Sequence, residues 1–186
     1  PDWSRGLGDV YKRQVYTTAL NNGYPVTEQL LNQPVVLNIQ NMDGNWVKWK
    51  PQNYDGSTGG LTTFREGLRK SMNLISVRMV QQDIAPAEQV KQTAKRMGIN
   101  TDIRAVDAIA LGTSEVFPLE MVAAYSALSN KGVYSKPFAI TKIEDRYGNI
   151  IKDYFPERSE VLSEETAYLM TNICLLYTSD AADDTR

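Results

Sequence analysis

Ser71 and Asn73 are the residues whose types and spacing invite chemistry. They set a hydroxyl and a carboxamide two positions apart, at the far end of a segment with helical periodicity. A serine hydroxyl is a weak nucleophile, and it needs a neighbouring base before it reacts. The chain has no histidine, which excludes a Ser-His-Asp triad, so a lysine of lowered pKa is the available partner. Taken alone, Ser71-Met72-Asn73 is more often a helix cap than a catalytic motif, because a bare S-x-N arises by chance about once in a few hundred residues of average composition.

The elements around the pair are legible from periodicity and punctuation. Phe64, Leu68 and Met72, with Leu61 a turn earlier, form one apolar stripe at helical spacing. That helix breaks at Ser71, and Leu74 to Ile84 starts a second one. Upstream, Val15 to Leu20 reads as the end of a helix stopped at Asn21-Asn22-Gly23. Tyr24 to Asn32 is a connection. Pro34 to Gln40 and Trp46 to Trp49 form a hairpin across Asp43-Gly44, in which the two tryptophans are packing residues. Asn53 to Gly60 is a loop whose Asp55 forms a turn.

Downstream, Pro86 starts a helix that Gly98 stops, and Asn100 to Val116 is irregular. Pro118 to Asn130 is a helix with a small-residue face of Leu119, Val122, Ala123, Ser126 and Ala127. Glu115 and Glu120 lie near its positive end. Lys136 to Glu144 and Ile150 to Tyr154 flank Tyr147-Gly148-Asn149 as a second hairpin, and Ser163 caps a last helix to Ile173.

The two ends carry a different signature. Asp9-Val-Tyr-Lys-Arg-Gln14 is encoded by GAT GTG TAT AAG AGA CAG, and the reverse complement of that string, read one frame over, encodes Cys174-Leu-Leu-Tyr-Thr-Ser179. Inverted copies of one DNA string at both ends point to sequencing adapters. Residues 1–14 and 174–186 are therefore expected to be adapter-derived, and 15–173 to be one partial domain open at both ends.

Composition narrows the classes further. Twenty Lys and Arg against 22 Asp and Glu give a net charge of −2, and no basic run suggests nucleic acid. The single cysteine, Cys174, lies in the adapter-derived tail, so residues 15–173 hold no disulfide and no catalytic thiol. No metal or other cofactor is expected, and no apolar run approaches the ~18 residues of a membrane span.

Trp49-Lys-Pro-Gln-Asn-Tyr-Asp-Gly56, Thr63-Phe-Arg-Glu-Gly-Leu68 and Ser71-Met-Asn73 together resemble the transpeptidase domain of penicillin-binding proteins, most closely the bifunctional (class A) glycosyltransferase–transpeptidase kind. The resemblance continues through Ala110-Leu-Gly-Thr-Ser-Glu-Val116, Pro118-Leu-Glu-Met121, Ala124-Tyr125, Asn130-Lys-Gly132 and Ile143-Glu-Asp145. Gly67 stands where that family often has alanine, a helix penalty of up to ~1 kcal/mol. The fold implied is α+β: a partial penicillin-binding/beta-lactamase-like transpeptidase fold, mainly its helical part with peripheral β-hairpins.

The activity implied is acyl transfer through a serine, with S-x-x-K, S-x-N and K-T-G as the working motifs. Ser71 would relay protons and Asn73 would orient the bound peptide or beta-lactam amide. The S-x-x-K serine and lysine, in the family pattern S-x-x-K-P-F/L-x-Y, would fall upstream of Val15, and K-T-G downstream of Ile173. The substrates implied are peptidoglycan stem peptides, with beta-lactams as acylating analogues. The parent protein would be anchored in the cytoplasmic membrane, face outside the cytoplasm and carry an N-terminal glycosyltransferase domain. This piece alone would be inactive. A non-catalytic binding module, a serine beta-lactamase or beta-lactam sensor of the same fold, and an unrelated helical domain stay open as alternatives.

Overall fold

The computed structural model describes residues 8–40, 44–112 and 114–183. In chain order the elements are α1 (Gly8–Asn21), β1 (Gln29–Leu31), β2 (Leu37–Gln40), β3 (Trp46–Trp49), β4 (Leu61–Thr63), α2 (Phe64–Arg69), α3 (Asn73–Gln81) and α4 (Ala87–Arg96). A 3-10 turn (Asp107–Leu111) follows, then α5 (Pro118–Ser129), β5 (Val133–Ser135), β6 (Lys142–Glu144), β7 (Ile150–Asp153), β8 (Arg158–Glu160) and α6 (Glu164–Asp183). The architecture is α+β, as expected.

α1 is the axis of the molecule. It touches α2, α3, α4, α6 and the 3-10 turn, and Tyr11, Val15, Tyr16 and Ala19 are all buried along it. Tyr16 meets Phe64 of α2 edge-on, with ring centroids 6.0 Å apart. α3 supplies Leu74, Ile75, Val77 and Met79 to the same core. A helix surrounded in this way is buried on several faces, and α1 buries polar residues too: Thr17 and Thr18 are both inside, the latter donating to the Gln14 carbonyl at 2.7 Å.

The strands form four antiparallel pairs among the described residues: β1 with β4, β2 with β3, β5 with β8, and β6 with β7. The hairpins at Trp46–Trp49 and Ile150–Asp153 follow the sequence reading, but their first strands are shorter than expected, Leu37–Gln40 and Lys142–Glu144, and Asp43 of the first turn lies outside the described residues. Two pairings differ from it. Leu61–Thr63 is a strand against Gln29–Leu31, so Leu61 is an exposed strand residue and the helix begins at Phe64. Val133–Ser135 pairs with Arg158–Glu160, closing the base of the second hairpin. Both depend on partners more than twenty residues away, which three-residue strands cannot signal by alternation.

The buried face of α5 also differs. Met121, Ala123, Ala124, Ala127 and Leu128 face inward, whereas Leu119 and Val122 are exposed. Of the two tryptophans, Trp49 packs against the core and Trp46 is 70% exposed, so only one is a packing residue.

Candidate active site

The α2–α3 junction is built by local rules with one departure. Thr63 caps α2, its hydroxyl accepting from the Glu66 amide at 3.2 Å. Glu66 in turn binds Arg69 at 2.8 Å and Lys70 at 2.9 Å. Those hydrogen bonds, from Arg69 first and Lys70 second, hold its carboxyl at a pKa of about 2. At the far end, Ser71 N–H donates to the Leu68 carbonyl at 2.9 Å and Met72 N–H to the Gly67 carbonyl at 2.8 Å. This paired closure requires a left-handed residue at its centre, normally glycine. Gly23 serves that purpose after α1 with φ 89°. After α2 the residue is Ser71, with φ 50°. Asp83 and Lys131 are also left-handed, but both are exposed, whereas Ser71 is half-buried. A left-handed serine costs of order 1–3 kcal/mol, and such strain collects at functional sites.

What the strained residue meets is an amine. Lys12 Nζ lies 2.6 Å from Ser71 Oγ and 2.7 Å from the Ser71 carbonyl oxygen, although 59 residues separate them in sequence. Lys12 projects from α1 and is only 4% exposed. A shallow pocket opens here, lined by Lys12, Arg13, Leu68, Arg69, Ser71, Ile173 and Cys174. Arg13 reaches across it, donating to the Tyr125 hydroxyl and to Cys174 Sγ at 3.4 Å, with its guanidinium 5.0 Å from the Tyr125 ring centroid. Tyr11, one residue before Lys12, is pinned by its hydroxyl to the Ser114 carbonyl at 2.9 Å, and burial, with the Glu120 carboxylate behind it, pushes its pKa to about 12.

Asn73 lies at the first position of α3, with its carboxamide donating to the Gln52 carbonyl at 2.7 Å. The structure thus joins the Asn53–Gly56 loop to the Ser71–Asn73 segment, while Ser71 alone of the pair lines the pocket. Asp55 is a turn-former, accepting from the Ser57 amide at 2.9 Å. Glu120 lies in the first turn of α5; burial works to raise its pKa, but the Thr101 hydroxyl and the Asn100 and Thr101 amides hold it below the usual value. Among the described residues, no three His, Cys, Asp or Glu side chains gather as metal ligands.

Comparison with known proteins identifies the family. Residues 8–183 match the penicillin binding protein transpeptidase domain. The chain belongs to that family. Among curated relatives, penicillin-binding protein 1A of Rickettsia felis is 33% identical over 159 residues, covering 86% of this chain and 19% of that protein. The Aquifex aeolicus penicillin-binding protein 1A is 38% identical over 114 residues, covering 61% of this chain and 15% of the relative. The crystal structure of penicillin-binding protein 1A from Haemophilus influenzae superposes with a TM-score of 0.80 at 24% identity, over 90% of this chain and 29% of that one. The chain therefore spans about a fifth or less of the length of the curated relatives named here.

Lys12 is the pocket residue that sequence reasoning set aside, because it falls in the stretch read as adapter. A signal for it existed. Val15-Tyr16 fits the final x-Y of the penicillin-binding pattern S-x-x-K-P-F/L-x-Y, and that register puts position 12 at the lysine. The same register puts Asp9 at the serine, Arg13 at the proline and Gln14 at the apolar position.

Proposed function

We propose that the chain is an internal piece of a peptidoglycan D,D-transpeptidase that cross-links cell-wall stem peptides by acyl transfer through a serine. The single observation that carries this reading is the left-handed, half-buried Ser71 lining the pocket beside α1, two positions before Asn73 at the start of α3. In the complete protein, a serine one helical turn before the lysine attacks the D-alanyl-D-alanine carbonyl. The lysine receives the serine proton, and the Ser71 hydroxyl passes a proton to the departing amine. Asn73 hydrogen-bonds the amide of the bound peptide or beta-lactam and fixes its orientation. The parent works outside the cytoplasm, anchored in the cytoplasmic membrane behind a glycosyltransferase domain. Among the described residues here, no helix is long and apolar enough to cross a membrane.

The same reading makes residues 1–14 and 174–186 foreign to the domain, although α1 and α6 run unbroken through both junctions. Gln14 supports it. Its side chain is 1% exposed and its Oε1 has no hydrogen-bond partner, an expensive occupant for a position that asks for an apolar residue. Lys12 would then stand in by coincidence for a native lysine, and the Arg13–Cys174 contact would join two foreign residues. Asp9 carries a carboxylate where the nucleophile belongs, so this chain does not form an acyl-enzyme.

Two measurements test the proposal. Incubation of the purified chain with a fluorescent penicillin leaves it unlabelled; covalent label would overturn its inactivity. Sequencing the parent gene upstream of Val15 recovers serine and lysine codons three positions apart, and any other residue at the serine position favours a non-catalytic binding module.

A further inference from the structure

The N-terminus of α3 has a helix-capping problem. Its N-cap position is Met72, whose weakly accepting thioether makes no capping bond to the first-turn amides. The structure answers from elsewhere. Asn53 Oδ1 accepts from the Leu74 amide at 3.1 Å, across 21 residues of sequence, while its Nδ2 donates to Asn32 Oδ1 and to the Ser57 carbonyl, each at 2.8 Å. Asn53 and Asn32 are both buried, at 6% and 4% exposure. Asn32 is fixed in turn by its own backbone, which exchanges hydrogen bonds with Gly59 and Gly60. The next residue back from Asn53, Gln52, offers the carbonyl that receives the Asn73 carboxamide.

We propose that Asn53 is a positioning residue for Ser71 and Asn73, acting as a displaced N-cap that clamps the peptide between α2 and α3. The role rests on the reading of Ser71 and Asn73 as working groups. The left-handed backbone at Ser71 explains why a clamp is needed: with one strained residue between two helices, the segment relaxes unless both of its ends are held. The α2 end is held by the Gly67 and Leu68 carbonyls, and the α3 end by Asn53. A carboxamide alone satisfies both sides, because the oxygen faces a helix amide and the nitrogen faces two acceptors.

Amide hydrogen exchange on the labelled chain separates this role from bulk stability. Asn53→Ala should lower Leu74 amide protection by about tenfold more than that of Ala94 in α4. Asn53→Asp, which keeps the oxygen but turns a second oxygen toward the Asn32 Oδ1 and Ser57 carbonyl acceptors, should restore Leu74 protection only in part, and Asn53→Leu not at all. Equal losses at Leu74 and Ala94, or full protection in either variant, would overturn the clamp. In the complete parent protein, Asn53→Ala should lower the rate of penicillin acylation about tenfold with the binding constant little changed. If Ser71→Ala abolishes acylation and Asn53→Ala leaves it intact, the positioning role fails alone. If Ser71→Ala itself has no effect, the reading of Ser71 fails, whatever the exchange data show.

Discussion

The α2–α3 junction and the β6–β7 hairpin are both short connections between regular elements, yet they are held in opposite ways. At the junction, Phe64, Gly67, Leu74 and Ile75 are buried, and a strained serine is fixed by hydrogen bonds on both sides. In the hairpin every strand residue is exposed, including Ile143, Ile150 and Ile151, and the turn is closed by the Asp145 carboxylate, which accepts from the Tyr147 and Asn149 amides. The hairpin needs only local chemistry to form. The junction needs α1 behind it. Strain can be kept where packing over-determines the backbone, and would relax where it does not.

Core truncation should break the contrast most strongly. Ile75→Ala should cost about 2–5 kcal/mol in chemical denaturation, whereas Ile151→Ala should stay within about 0.5 kcal/mol. Comparable losses would mean that the hairpin is buried in solution.

Gly67→Ala comes next. A Cβ at that position would sit 2.7 Å from Tyr16 Oη and 2.8 Å from Ile75 Cγ2. The sequence suggested only a helix penalty here, but in this packing the glycine makes room for the Tyr16 hydroxyl. Overpacking of ~1–3 kcal/mol should outweigh the gain of up to ~1 kcal/mol in helix propensity, giving a net loss of stability. A stabilised variant would show that Tyr16 shifts aside freely.

The strain at Ser71 can be isolated by comparing two variants that both lose the hydroxyl. Ser71→Gly should be more stable than Ser71→Ala by ~1 kcal/mol, because only alanine keeps a Cβ in the left-handed region. Equal stability would remove the argument from strain.

The smallest effect is electrostatic. Glu66 has a folded pKa of about 2, below its ordinary value of 4.5, so its ion pairs contribute above pH ~4.5 and are lost as pH falls toward 2. Its side chain is 35% exposed, so solvent screening limits the gain to under ~1 kcal/mol. Glu66→Gln should flatten that acid limb of the stability profile without changing stability near pH 2.

Local signals carried much of the fold. Periodicity and punctuation placed α2 to α5 and both hairpins, and the Ser163 cap of α6 is present, with its hydroxyl accepting from the Thr166 amide at 3.1 Å. The failures were at strands too short to alternate, β1 with β4 and β5 with β8, and at Leu119 and Val122, where small and large apolar residues circle α5 with no clear buried side. Neither kind of feature is encoded within a window of ten residues.

By itself the sequence determined the helices, the turns and the Ser71–Asn73 pair with its family, because those depend on residues within a few positions of one another. Only the tertiary structure decided that Ser71 would be left-handed, that Asn53 would cap α3, and that an amine 59 residues upstream would meet the serine hydroxyl. Those outcomes follow from α1 passing behind the junction, where burial leaves each polar group to find its partner inside the protein rather than in water.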